Sequence, residues 1–471
     1  MKKFLFVLLG LYCFNSFGQT LLSSHYLNLK KPSEKQQFLT AVNTNNQQVF
    51  VFAADKETQT GYKYNSALFY KDSLATIRPD KEDYTILSGY SFDGSGNPEV
   101  YWTSDDYKKI RAIYYDFENK KISELTYSID FSGEEITNSF SENNTFYIIT
   151  SEDTKQSLKI YMFRNGTMDM KKLDFSSYAF KDGDNQPIRF EKIIERDPIE
   201  KIDTKALNPL STGIKKSKLY VYADKMILTL DYNPQYTQLF EINLATFSIT
   251  KKSFPYQVLQ TSAKTNSYLH QGQLYQLALN ESEMVLSSYS TGDSLKVLNN
   301  YKVSKNDAIG FKNSPLYSQT GNQRARELKN TKRFLSRVFD SNIGLTVYNT
   351  PNDVLLTLGG VREVSSTGDV ILGITAGVGM VITGTGGSID GLLESESQAV
   401  YFESLFDKNF KHKTIEQQRL AADYISQFLQ EHDRILPTSI FPYQNYFIMG
   451  YYDTTSKQYI MRKFQDDGFN D

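Results

Sequence analysis

Apolar and polar positions along this chain fall into short runs, and the runs come in fours. The clearest set is Lys218 to Tyr256, KLYVYADKMILTLDYNPQYTQLFEINLATFSITKKSFPY. There, stretches rich in Tyr, Val, Ile, Leu, Phe and Thr are cut by Ala223-Asp224-Lys225, Asp231-Tyr232-Asn233-Pro234 and Asn243-Leu244-Ala245-Thr246. Those residue types suit pleated, half-buried strands, and Asp, Asn and Pro suit tight turns. The segment predicts an antiparallel meander of four strands. Comparable units run from Gln37 to Asp80, Tyr84 to Asp130, Ile136 to Phe175 and Ser267 to Val303. A sixth opens at Gly344 and resumes at Ala399 to Asp407, and a seventh covers Ser439 to Phe464. The seventh lacks an outer strand, while LLSSHYLNL (Leu21 to Leu29) reads as a strand with no earlier partner. Pairing the two would remove an exposed edge, so the chain is expected to close on itself.

Four insertions interrupt a single domain expected over 19–471, at 176–217, 305–343, 361–396 and 412–436. The first is polar, carries DGDNQP and ERDPIEKID, and reads as a long loop between units. The second holds QRARELKNTKRFLSRVF, predicted as a helix over 322–339, with Ala325, Leu328, Leu335, Val338 and Phe339 near one face. The fourth holds KTIEQQRLAADYISQFLQEH, predicted as a helix over 413–432. Its apolar stripe is Ile415, Leu420, Ala421, Tyr424, Ile425, Phe428 and Leu429. Both helices are expected to pack on one rim of the repeated units.

A four-strand phrase repeated at a period of tens of residues resembles exported bacterial β-propellers in general, over nearly the whole chain after the first 18 residues. The resemblance implies an all-β fold. It would be a single closed β-propeller of about seven four-stranded blades, the last blade completed by the N-terminal strand. No WD dipeptide ends the units, no kelch double glycine recurs, and no Asp-box of the SxDxGxTW kind is present. Those absences set the chain apart from well-characterised propeller enzymes, sialidases among them.

The N-terminus adds a compartment. MKKFLFVLLGLYCFNSFGQT has Lys2 and Lys3, an apolar run from Phe4 to Phe14, and Ser16 and Gly18 before a cut at Gln19, the layout of a secretory signal. Export to the periplasm, the outer-membrane surface or the medium is expected, with no transmembrane span. Bulky Tyr12 before Cys13 argues against lipidation. Cys13 is the only cysteine, so the mature chain has no disulfide or thiolate chemistry and relies on its core. A formal charge of -2 gives no reason to expect nucleic acid as a partner.

Candidate chemistry is sparse. The glycine-loaded insertion TLGGVREVSSTGDVILGITAGVGMVITGTGGSIDGLL (Thr357 to Leu393) is nearly uncharged from Val370 to Ile389. It has two readings. One is an apolar interaction loop carrying Val370, Ile371, Leu372, Ile374, Val378, Met380, Val381 and Ile382; the other is an inner hairpin packed under the helices, with glycines allowing close backbone approach. No GxxxxGK[ST] motif accompanies it. Arg324, Arg326, Lys329, Lys332, Arg333 and Arg337 form a basic helix suited to an anionic surface. DGSGNPE, with Asp93, Ser95, Asn97 and Glu99, and Lys181-Asp182-Gly183-Asp184-Asn185 are fragments of a calcium loop. Neither completes the ligand set, so ordinary turn chemistry is expected there.

His25, His270, His412 and His432 are not spaced as a metal pair, and no GxSxG elbow is present. No catalytic residue, cofactor or metal is expected. The leading expectation is a non-catalytic binding or scaffolding propeller that recognises a protein or glycan at the cell envelope. Peripheral membrane contact would come through the apolar loop or the basic helix. The alternative is a polysaccharide- or peptide-acting hydrolase or lyase with acidic residues at the propeller channel.

Overall fold

In a computed structural model, residues 19–30, 36–259, 261–292, 297–320, 324–362, 397–432, 435 and 437–468 are described. The repeated phrase resolves into seven sheets that follow the chain order of the predicted units. Sheet 1 (Gln37–Val42, Val49–Ala54, Thr58–Tyr64, Tyr70–Ile77) is a sequential antiparallel meander. So are sheet 2 from Ile86–Phe92 to Lys121–Ser128, sheet 3 from Glu134–Glu142 to Thr167–Asp174, and sheet 5 from Lys264–His270 to Val297–Ser304.

Three sheets depart from that pattern. Sheet 4 holds the expected four strands between Ser217–Val221 and Ile249–Pro255, and adds a fifth, Ile199–Ile202, parallel to Ser217–Val221. A parallel neighbour needs a crossover, and residues 203–216 supply it. Sheet 6 contains Asn342–Asn349, Val354–Arg362 and Gln398–Phe406, but its next strand is Tyr317–Thr320, from upstream in the chain, with Arg326–Glu327 at the edge. Asn313 and Ser314 tie this upstream segment to Gln398–Phe406. The Asn313 N–H donates to the Glu403 carbonyl at 2.8 Å, and Ser314 Oγ accepts from the Glu403 N–H at 2.9 Å. Sheet 7 holds Pro437–Tyr443, Tyr446–Asp453 and Gln458–Phe464, and its fourth strand is Gln19–Tyr26. Gln19 lies opposite Phe464 and Tyr26 opposite Gln458.

Burial explains why the sheets assemble. The second strands Val49–Ala54, Pro98–Thr103 and Thr145–Glu152 are buried at every residue, whereas the outer strands Lys121–Ser128 and Thr167–Asp174 are mostly exposed. A strand buried on both faces needs a layer on each side, and neighbouring sheets provide it. Phe52 and Trp102 share a cluster between sheets 1 and 2, Tyr101 and Phe146 between 2 and 3, and Ile160 and Leu228 between 3 and 4. Tyr220, Leu277 and Leu356 join sheets 4, 5 and 6. Leu355 and Met449 join 6 and 7, and Ile448 and Val51 join 7 and 1.

Both predicted helices form, and both are shorter than expected. The first spans Thr331–Phe339, because the Asn330 carboxamide oxygen accepts from the Arg333 N–H at 3.0 Å and starts the helix there. Arg326–Glu327 is paired as strand instead. The second spans Ala421–Glu431. Upstream of it, the Asn313 carboxamide donates to the carbonyls of Lys413 and Ile415, both at 2.8 Å, which holds that stretch out of a helix. Ile415, assigned to the apolar stripe, is 44% exposed. The 176–217 loop contains two short helices, Phe190–Arg196 and Leu210–Gly213, that the sequence reading did not anticipate.

A polar knot sits where sheets 4 and 5 meet. Lys218 and Asp231 are fully buried with their charged atoms 3.3 Å apart. The Asp231 carboxylate also accepts from Tyr256 Oη at 2.6 Å, Thr237 Oγ1 at 2.7 Å, Ser267 Oγ at 2.9 Å and the Ser267 N–H at 3.1 Å. Burial alone would raise its pKa, but Lys218, Lys216, Tyr256 and Thr237 hold it below the ordinary value. Removing one partner of such a pair strands the other. Asp231→Ala should therefore cost about 3–5 kcal/mol in urea unfolding, and Lys218→Met with Asp231→Leu should recover much of that loss. Deleting residues 19–26 leaves the Gln458–Phe464 edge unpaired. That variant should melt several degrees lower and show a larger aggregated fraction by light scattering.

Candidate functional site

The first strands of several neighbouring sheets lie against one another, and residues 199–214, running from sheet 4, pack beside them. Asn138 of sheet 3 donates to the Ile199 carbonyl at 3.3 Å, and Glu142 of the same strand pairs with Lys201 at 2.9 Å and Lys205 at 3.1 Å. Ala206 and Leu207 are buried in one cluster with Tyr348 and Leu355 of sheet 6 and Ile440 and Phe447 of sheet 7. Asn266 of sheet 5 donates to the carbonyls of Ile214 at 2.8 Å and Ile343 at 2.7 Å, tying the end of the segment to sheet 6. Contact there is backbone to backbone. A Cβ on Gly344 would lie 2.5 Å from the Gly213 carbonyl oxygen, so neither glycine admits a side chain without displacement. Sheet 2 takes part through Tyr90, whose pKa is pushed up to about 12 by burial and by the Glu142 and Asp203 carboxylates.

Two of the three acids along this segment are committed to structure, while burial raises the pKa of the third, Glu200, against the opposing pull of Lys215 and Lys218. Glu142 neutralises the two lysines, and Asp203 Oδ1 caps the turn by accepting from the Lys205 N–H at 2.9 Å and the Ala206 N–H at 3.2 Å. The sequence reading placed this segment as a loop between units. Its clue was the spacing of Ile199, Ile202, Leu207, Leu210 and Ile214, diluted by the charges among them.

Five of the six basic residues singled out from the sequence come together. Arg324, Arg326, Lys329, Arg333 and Arg337 line a pocket of about 300 Å³ with Glu327, Ser318, Thr320 and Gln398. Phe334, Leu335 and Val338 anchor the 331–339 helix in the core and turn Arg333 and Arg337, one turn apart, outward. Arg337 Nη1 donates to Ser318 Oγ at 2.9 Å. Lys332 is on the same helix and does not line the pocket. Gln398 pairs with Arg362, so the glycine-rich insertion leaves and rejoins sheet 6 at the lip of this pocket. The apolar residues Val370, Ile371, Leu372, Ile374, Val378, Met380, Val381 and Ile382 lie outside the described residues.

The remaining sequence candidates separate. Asp93 Oδ1 accepts from the N–H groups of Ser95 and Asn97, and Asp182 Oδ1 from those of Asp184 and Gln186, which is the turn chemistry expected. Among the described residues, no group of three or more His, Cys, Asp or Glu is placed to hold a metal. His25 stacks on Tyr70, His412 Nε2 contacts Asn313 Oδ1 at 3.0 Å, and His432 Nδ1 contacts the Phe428 carbonyl at 2.8 Å. His270 ends the first strand of sheet 5, and burial lowers its pKa. A groove of about 420 Å³ gathers Asp93, Glu99, Glu124 and Tyr114 beside the Asn165-Gly166 turn of sheet 3. Each acid there is engaged: Asp93 by Tyr114, Glu99 by Tyr101 and the Gly166 N–H, and Glu124 by Arg111.

One buried acid has no signal in the sequence. Glu403 is 1% exposed on the third strand of sheet 6, opposite Thr357. Neither carboxyl oxygen has a hydrogen-bond partner among the described residues, and Thr357 Oγ1 has none either. Burial, with Asp423 nearby, pushes its pKa up to about 8, and burial pushes Asp423 up to about 6. Asp466, also raised by burial, completes the acidic group at the start of the 421–431 helix.

No family model matches this chain, and no curated protein matches it either. Among solved structures, the chain is similar to a subtype N11 neuraminidase-like protein of A/flat-faced bat/Peru (12% identity, 84% of this chain and 96% of that one, TM-score 0.28). It is also similar to the Cps50 (Swd1) β-propeller domain of Myceliophteria thermophila (11%, 80% and 99%, TM-score 0.25). An ACO/RPE65 chimera matches at 9% identity over 57% of this chain, TM-score 0.28, and only 61% of its own length is spanned. At these TM-scores the likenesses carry no assignment of activity or of residues.

Glu403 generates a prediction with a definite sign. Above the ordinary glutamate pKa the unfolded chain releases a proton that the folded chain keeps, so stability falls as pH rises toward 8. Asp423 contributes below pH 6, and His25, His270 and His412, lowered by burial, add an opposite slope up to about pH 7, so the Glu403 contribution is read as the difference between the two proteins. Glu403→Gln, neutral throughout, should lack a loss on the order of 2 kcal/mol that the unsubstituted protein shows between pH 6 and 8. Urea unfolding at a series of pH values reads this directly.

Proposed function

We propose that this protein is a closed β-propeller of seven blades, exported to the cell envelope, which binds or scaffolds a protein or glycan partner without catalysing a reaction. The apolar clusters that link sheet 1 to 2 and onward to 7, and sheet 7 back to 1, support the closed ring. The signal-like first 18 residues support export. The observation that carries the non-catalytic reading is the packing of residues 199–214 beside the first strands. A propeller enzyme with carboxylates at its channel needs space and free acids there. In the proposed ring residues 199–214 occupy that space, and Glu142 and Asp203 are consumed in holding them.

Sheet 6 is where such a ring would be specialised for recognition. It borrows its outer strand from upstream, carries the basic pocket, and bears the apolar insertion between Arg362 and Gln398. Loops on a rigid scaffold vary without cost to the core, and an uncharged segment with eight large apolar residues suits a partner surface. The hydrolase alternative has one observation in its favour, the groove at Asp93, Glu99 and Glu124, which lies against the outer strands of sheet 2, away from the interior.

An affinity pull-down from envelope fractions tests the binding reading, with full-length protein compared to a variant lacking Val370 to Thr383. Arg362 and Gln398 pair beneath the insertion, so sheet 6 should survive the deletion. The full-length chain should recover partners that the variant loses; identical recoveries would remove the insertion as the contact.

A further inference from the structure

We propose that the pocket between the edge of sheet 6 and the 331–339 helix is an oxyanion site that takes a phosphate group, carried on a lipid headgroup or on a soluble phosphate ester. Five cationic side chains share about 300 Å³ with a single carboxylate, Glu327. None of the ion pairs among the described residues neutralises them. Lys329 and Arg333 flank the first turn of a helix that has no acidic residue there. The N–H groups at that end of the helix carry partial positive charge. Gathering cations at that end costs stability in the empty protein, and a bound anion offsets the cost.

The donor set is specific in kind. Arg324, Arg326, Arg333 and Arg337 present planar forks that match phosphate oxygens two at a time. Ser318 and Thr320 add hydroxyls from the strand beside them. The pocket's excess positive charge calls for an anion with more than one charge or several oxygens, which a phosphate supplies better than a lone carboxylate.

The scaffold is rigid enough to hold this geometry. Phe334, Leu335 and Val338 are fully buried, Thr331 Oγ1 donates to the Asp307 carbonyl at 2.6 Å, and the Leu328 N–H donates to the Leu316 carbonyl at 2.7 Å. Arg337 is steadied by Ser318. The site does not depend on residues 199–214, so its failure would leave the binding reading of the ring untouched.

The test uses the full mature chain with two probes: inorganic phosphate by calorimetry, and vesicles of phosphatidylglycerol or of phosphatidylcholine by co-sedimentation. The pair Arg333→Gln and Arg337→Gln should weaken phosphate binding at least tenfold. Lys332→Gln, on the same helix outside the pocket, should change it less than twofold. Both arginines are exposed, so the paired variant should fold, with a melting temperature without phosphate within a few degrees of the unsubstituted chain. Phosphate binding without vesicle binding supports a soluble ester as the source. Phosphatidylglycerol binding that phosphate competes away, absent with phosphatidylcholine, supports a headgroup. No binding to either probe, or equal losses in Lys332→Gln and the paired variant, overturns the proposal.

Discussion

The structure depends on one constraint: the second strands of several sheets are buried on both faces. Val49–Ala54 and Thr145–Glu152 have no solvent side, so no sheet is stable alone and each must be covered by a neighbour on either flank. At about 25 cal/mol per Å² of apolar surface, leaving one flank open would cost many kcal/mol. A row of such sheets has two unsatisfied ends. Sheets 7 and 1 cover one another through a shared cluster of Ile448, Met461, Val51 and Tyr64. The pairing of Gln19–Tyr26 with Gln458–Phe464 adds backbone hydrogen bonds to the same junction.

The same constraint governs the polar groups. Interior positions that cannot be apolar are satisfied in networks spanning several sheets. Asp231 and Lys218 draw on Thr237, Tyr256, Asn266 and Ser267, and Asn266 reaches across to Ile343. Residues 199–214 extend this logic beside the first strands, where Glu142, Lys201, Asn138 and Asp203 exchange their hydrogen-bonding capacity with the segment itself. Glu403 and Thr357, opposite one another, are among the buried groups left outside such networks. Burial and the nearby Asp423 favour the protonated acid of Glu403 over its carboxylate.

Much of this was legible in the chain, and the unread parts share a cause. Strand units are local: alternation of apolar residues and turn chemistry at Asp231 to Pro234 are sufficient to place Lys218 to Tyr256, and the observed strands differ at their ends by a residue or so. The partnership of Leu21 to Leu29 with the last unit followed from edge avoidance alone. The helices were overextended because Asn330 and Asn313, which end or forbid helix, act through hydrogen bonds that composition does not reveal. The outer strand of sheet 6 was missed because Tyr317–Thr320 joins Gln398–Phe406 across a long separation, and no local pattern encodes that pairing. The basic residues were legible as a group. That Arg333 and Arg337 face the pocket and Lys332 does not follows from which helix face Phe334, Leu335 and Val338 anchor, while Arg324, Arg326 and Lys329 reach it from the strand and turn before the helix.

By itself, then, the sequence determined the all-β class, the order of the strand units, the signal-like start and a cysteine content limited to Cys13. Each rests on residue type and spacing over short distances. Only the tertiary structure decided that residues 199–214 pack beside the first strands, that Glu403 is buried without a partner among the described residues, and that Arg324, Arg326, Lys329, Arg333 and Arg337 converge beside the root of the glycine-rich insertion. Those outcomes depend on which segments meet after the sheets have packed. Long-range contact of this kind is set by the summed burial of all seven sheets, which no single stretch of the chain contains.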